Sequence, residues 1–142
     1  MDKTRGWLSG LLVVGAVYHV LLGLAALLFK EHAAEMARVF FRFNLTPTPE
    51  LLWILNPFAA YLLAFGLTMA VAARNPGRHR PVVLLVVALY AIRFLERAWF
   101  VIAADETLKA SADPMQQGLH LAVVLAMTVA MGVLAFRVPA EG

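Results

Sequence analysis

The chain has 142 residues, 62% of them hydrophobic and 15% charged, with a formal net charge of +3. A soluble domain is nearer half apolar and a quarter charged, so disorder and an ordinary soluble enzyme are excluded. The absence of cysteine excludes disulfides, iron–sulfur clusters, thiolate zinc sites and thiol redox chemistry. The basic residues gather at the ends of apolar blocks, where they orient a membrane protein; no nucleic-acid partner is expected.

Four apolar blocks, residues 7–29, 51–73, 81–104 and 116–136, have membrane-spanning length. Each makes a helix of roughly 32–36 Å, enough for a hydrocarbon core of about 30 Å with modest tilt. Lipid cannot satisfy open backbone groups, so the spans must be helical. The expected fold is a single all-α domain over residues 1–142. It is an antiparallel four-helix transmembrane bundle with a short amphipathic helix in the first outer loop.

Block one follows Lys3 and Arg5. It imitates a signal peptide but lacks a convincing small-x-small cleavage site, and it reads as an uncleaved first span. Gly15 and Gly23 flank His19 at i−4 and i+4. Small residues on one stripe let helices approach closely, which predicts that His19 faces the bundle.

The first outer loop carries Met36, Val39, Phe40 and Phe43 on one helical side, with Glu35, Arg38 and Arg42 nearby. This pattern predicts a short helix, either an interface anchor or a lid over a pocket. Asn44-Leu45-Thr46 has the form of a glycosylation sequon, read as incidental with Pro47 following. Thr48-Pro49-Glu50 is a helix start, with Thr48 as cap, Pro49 in the first position and Glu50 at the positive dipole end. In block two, Pro57 removes an N–H and crowds the carbonyl of Trp53. That predicts a kink, serving either packing or a cavity lined by a freed carbonyl and Asn56. Arg74-Asn75-Pro76-Gly77-Arg78-His79-Arg80-Pro81 is a tight basic turn.

Charge sets the orientation. With the N-terminus inside, the inner segments carry Lys3, Arg5, Arg74, Arg78, Arg80 and Arg137; the outer ones carry Lys30, Arg38, Arg42 and Lys109. Both termini are expected in the cytoplasm of a bacterial cell, with the chain in its cytoplasmic membrane.

Block three places Arg93, Glu96 and Arg97 on one helix face by their i, i+3, i+4 spacing. Tyr90 lies one turn below and Phe100 one turn above. Ionisable groups at this depth cost about 2.5–3.5 kcal/mol each on insertion scales, so they should not face lipid. Block four adds an inward polar stripe of Gln116, His120, Thr128 and Gly132. Counted from the outer ends, His19 and Arg93 are roughly 15–16 Å deep, Glu96 and Arg97 about 10–12 Å, Asn56 and His120 about 6–8 Å. His19, Asn56, Tyr90, Arg93, Glu96, Arg97 and His120 therefore form an expected ligand pocket in the outer half of the bundle. The structural alternative is an ion-paired staple of Arg93, Glu96 and Arg97 that fixes helix register.

No cofactor is expected, although His19 and His120 leave room for a b-type haem between facing helices. Their estimated depths differ by roughly 8 Å. Metal-ligand spacings are absent, as are a nucleophile elbow and a phosphate loop. Acid–base work by Glu96 with His19 stays open, but two adjacent arginines favour a permanent carboxylate.

The chain resembles the BphX-like group of small four-span membrane proteins within a wider DoxX-like set. The resemblance covers most of the chain by layout. It rests on Ala73-Arg74-Asn75-Pro76, on Val82 to Val87 leading to Arg93, and on His120 ahead of a terminal Arg137. It implies an integral membrane protein of unestablished biochemical function and transfers no catalytic residue.

The function expected is non-enzymatic: binding or helping to move a small amphiphile such as a lipid, a quinone or an aromatic acid. Its apolar end would sit among Tyr18, Trp53, Tyr61, Tyr90 and Phe100, and an anionic or carbonyl end would meet Arg93 or Arg97. The alternatives are a structural or anchoring subunit of a larger membrane complex, a homo-oligomer among them, and a haem or acid–base membrane enzyme.

Overall fold

A computed structural model describes residues 3–41, 48–103, 106 and 113–140. The described chain is all-α. Its helices are α1 (Lys3–Leu28), α2 (Lys30–Phe41), α3 (Pro49–Arg74), α4 (Arg80–Ala103) and α5 (Pro114–Arg137). Three are long and apolar enough to cross a membrane by length and composition: Lys3–Leu28, Leu52–Arg74 and Pro114–Arg137. The remaining long helix, α4, has the length at 24 residues, but Arg93, Glu96 and Arg97 interrupt its apolar run.

Local sequence explains the helix ends. Leu52 N–H donates to the Thr48 carbonyl at 3.0 Å, opening α3 at Pro49. Asp113 caps α5, its carboxylate accepting from the Met115 and Gln116 amides at 2.9 and 3.1 Å, with Pro114 next in line. In the basic turn, Asn75 Oδ1 accepts from the Arg78 amide at 3.2 Å, and α4 starts at Arg80. The helix α3 runs unbroken through Pro57. The predicted short helix of the first loop is α2, which touches α1 and α3. Within it Arg38 bonds Glu35 at 2.6 Å on an exposed face. The side chains of Met36 and Phe40, the residues Arg42 to Pro47 with the sequon, and Ala104, Asp105 and Lys109 lie outside the description.

The most extensive packing joins α1 to α3, followed by α4 to α5. On α1, Leu8, Leu12, Gly15, Ala16, His19, Gly23 and Ala26 form one buried stripe, with the spacing of a single helix face. Ser9 Oγ donates to the Ala73 carbonyl at 2.7 Å. A Cβ at Gly15 would collide with Met69, and one at Gly23 would lie 3.0 Å from the Ala59 carbonyl oxygen. Rising numbers on α1 meet falling numbers on α3, so this pair runs antiparallel. A reciprocal close approach occurs at Gly66, where a Cβ would lie 2.9 Å from the Val20 nitrogen and 3.0 Å from the Ala16 oxygen. Gly132 of α5 is looser: a Cβ there would sit 3.5 Å from Val87, an ordinary van der Waals distance.

One continuous core joins Leu8, Leu12 and Ala16 of α1, Met69, Ala72 and Ala73 of α3, Val83, Val86 and Tyr90 of α4, and Met131 and Ala135 of α5. These residues lie toward the start of α1 and α4 and the end of α3 and α5. That end is filled by apolar side chains, and His19, Arg93, Arg97 and His120 lie toward the other.

Candidate functional site

His19 is the most deeply buried polar residue on the stripe, 1% exposed. Its Nδ1 lies 2.7 Å from the carbonyl oxygen of Gly15, one turn earlier. A carbonyl oxygen only accepts, so Nδ1 carries the proton and donates. Three aromatic rings stand edge-on around the imidazole, those of Phe65, Tyr18 and Tyr90 at centroid distances of 4.8, 5.1 and 5.9 Å. These separations and angles suit aromatic edge-to-face contact. The ring is thus held in orientation by one hydrogen bond and three walls. Its Nε2 is buried and meets no hydrogen-bond partner among the described residues.

Three cavities meet at Arg93, and His19 lines two of them. The first, about 370 Å³, lies between α1, α4 and α5 and is lined by Tyr18, His19, Tyr90, Arg93, Arg97 and His120 together with Val14, Gly15, Leu119, Val123, Val124 and Met127. The second, about 320 Å³, lies between α1, α3 and α4, against His19, Tyr61, Leu62, Phe65, Leu89, Tyr90 and Arg93. The third, about 460 Å³, lies between α3, α4 and α5, against Phe58, Leu89, Ile92, Arg93, Glu96, Arg97, Phe100 and Gln117. Arg93 belongs to all three. Their volumes fall in the range of small-molecule sites, and their largely apolar walls with a few polar groups match the make-up of such sites.

Arg97 donates from Nη1 to Gln117 Oε1 at 3.1 Å, tying α4 to α5. His120 repeats the local geometry of His19, its Nδ1 donating to the Gln116 carbonyl at 2.8 Å. Thr128, also on α5, turns its hydroxyl to its own helix, 2.7 Å from the Val124 carbonyl. Glu96 is exposed, and no ion pair joins it to Arg93 among the described residues. Of the staple anticipated from Arg93, Glu96 and Arg97, the Arg93–Glu96 ion pair is absent among the described residues, and Arg97 bonds Gln117.

Of the seven residues singled out from sequence, His19, Tyr90, Arg93, Arg97 and His120 line one cavity. Glu96 lines the adjoining one. Asn56 is half-buried and lines none of the three. Trp53, expected at the apolar end, is 71% exposed and also lines none, while Tyr18, Tyr61 and Phe100 do. The buried glutamine of α5 is Gln117, at 6% exposure, rather than Gln116. Its signal is a seven-residue run through Gln117, Val124, Met131 and Val138, which marks one helix face. Phe65 carries no signal in the sequence; its position opposite His19 gives it a role. Among the described residues, no group of three or more His, Asp or Glu side chains is placed to hold a metal ion.

No family model matches the chain, no curated protein matches it, and no solved structure matches it.

Proposed function

We propose that the chain is a four-span integral membrane protein whose cavity around Arg93 binds a small amphiphilic ligand. The fourth span is α4. Its 24 residues extend about 36 Å, and Arg93 and Arg97 turn toward cavities rather than outward. An arginine inside a membrane is tolerated where it faces the bundle interior and finds a polar partner. With four spans, both termini lie on one side, the cytoplasmic face of a bacterial inner membrane on the charge distribution. In layout this is the arrangement of small proteins of the BphX-like and DoxX-like kind.

The observation that carries the ligand is the place of Arg93. One cation stands at the junction of three apolar-walled cavities and meets no carboxylate in an ion pair among the described residues. A ligand with a polar head and an apolar body suits that arrangement: the head meets Arg93 or Arg97, and the body lies against Tyr18, Val123, Val124 and Met127. Membrane lipids, quinones and aromatic compounds all have this form. No reaction and no resident cofactor are assigned.

The test is a melting experiment on protein purified in mild detergent, with fatty acids, quinones and alkyl-aromatic compounds as probes. A ligand held at about a hundred times its Kd stabilises the folded state by about 2.7 kcal/mol. The expected result is a raised Tm with at least one probe class, lost in Arg93→Ala while that variant still melts cooperatively. Protein that carries no ligand and is stabilised by none of the probes would refute the proposal.

A second reading has its own support in Glu96. On the outer face of α4 it stands exposed among Ile92, Leu95, Trp99 and Ile102, all exposed. A carboxylate on a lipid-facing surface is costly, and a partner helix carrying a donor would relieve that cost. Under this reading the chain is an anchoring subunit of a larger assembly. Co-purification at fixed stoichiometry after mild solubilisation supports it, and a monomer in several detergents counts against it.

A further inference from the structure

We infer that the ligand carries a hydroxyl group, phenolic or alcoholic, which donates to His19 Nε2 and accepts from Arg93. The inference rests on the binding proposal above and narrows its ligand class.

The chemistry follows from the tautomer. Because Nδ1 donates to the Gly15 carbonyl at 2.7 Å, the neutral ring presents Nε2 as a bare acceptor. That acceptor is buried with no partner among the described residues. Leaving a buried polar atom unsatisfied is costly, so its position calls for a donor. Neither neighbouring tyrosine supplies one: Tyr18 and Tyr90 stand edge-on to the imidazole, and the Tyr90 hydroxyl lies beside Gly15. Arg93 lines the same two cavities as His19 and offers only donors. The lining of these two cavities therefore includes one acceptor and one cationic donor.

A carboxylate or a ketone satisfies Arg93 but sets a lone pair against Nε2. A hydroxyl satisfies both, since it donates one hydrogen bond and accepts others. The rings of Tyr18, Phe65 and Tyr90 around the imidazole add a wall suited to an aromatic or alkyl body.

Three probes separate the possibilities in lipid nanodiscs: 4-octylphenol, its methyl ether 4-octylanisole, and 4-octylbenzoate. The readouts are affinity and the nitrogen-15 resonance of His19 Nε2 in histidine-labelled protein. The expected result is an unprotonated Nε2 that shifts when 4-octylphenol binds, with 4-octylanisole about ten-fold weaker, the loss of one buried hydrogen bond. In His19→Phe, which keeps a ring in the aromatic box, the two probes should bind alike. Equal binding of phenol and ether by the natural protein, or an Nε2 signal that phenol does not move, overturns the inference. Binding of 4-octylbenzoate alone also overturns it, while leaving the amphiphile pocket standing. Binding of none of the three overturns both.

Discussion

Arg97 and Gln117 are joined by a hydrogen bond of 3.1 Å from guanidinium to amide oxygen, across the contact between α4 and α5. Gln117 is almost fully buried. The bond gives the arginine a neutral acceptor, and both side chains line the cavity shared with Phe58, Phe100 and Arg93. Hydrogen bonds to charged groups contribute about 1.5–3 kcal/mol. Gln117→Met keeps the volume and removes the acceptor, so it should destabilise the folded protein by an amount in that range. Unfolding of both proteins in the same detergent measures it, and an unchanged midpoint would mean that the bond contributes nothing.

Two glycines should respond oppositely to alanine. At Gly66 a new Cβ meets backbone atoms of Ala16 and Val20 at 3.0 and 2.9 Å. Backbone cannot rotate aside, so α1 and α3 must separate, at a cost of about 1–3 kcal/mol. At Gly132 the nearest atom is a Val87 methyl at 3.5 Å. There alanine fits, and its better helix propensity should stabilise by up to about 1 kcal/mol. A pair of thermal melts checks the signs.

The proposed crossing of α4 has a direct topological consequence. If α4 crosses the membrane with its arginines turned inward, the two termini share a side. Reporter fusions at each end should both report the cytoplasm. A periplasmic C-terminus would leave three crossings, Lys3–Leu28, Leu52–Arg74 and Pro114–Arg137, with α4 outside the membrane.

At the start of α3, Glu50 is held below the usual carboxylate range by hydrogen bonds from its own N–H and from the Thr48 hydroxyl. A carboxyl with a depressed folded-state value stabilises the fold above its unfolded value, and that contribution is lost as pH falls through the folded one. Stability should therefore decline on acidification toward and below the ordinary glutamate range. Glu50→Gln should lower stability at neutral pH and converge with the natural protein in acid, so that this limb flattens. Parallel acid titrations of the two proteins test it.

The chain's own pattern carried much of this arrangement, and its gaps have physical reasons. The inward face of α1 is legible because Gly15, His19 and Gly23 recur at one helical turn. The placing of His19 with Arg93 is legible because equal depth on neighbouring helices brings side chains together. Gly66 gives no such sign: it stands alone in an apolar run, and its contact depends on which α1 residues oppose it. Gln116 and Gln117 are separated by about 100° around the helix axis. The four-residue step from Gln116 to His120 favours the former, while packing of Met131 and Ala135 into the core turns the latter inward. Asn56 shares its depth with the site but not its direction. Depth is a count along one helix; direction is fixed only by packing.

The central claim is that Arg93 anchors an amphiphile inside the protein. Its most direct test is native mass spectrometry of protein released from nanodiscs, comparing the natural chain with Arg93→Ala. The expected spectrum of the natural chain shows a bound species of defined mass that survives activation sufficient to strip bulk lipid, and Arg93→Ala loses it while remaining folded. A bare protein in both samples, or the same adduct in both, would contradict the claim.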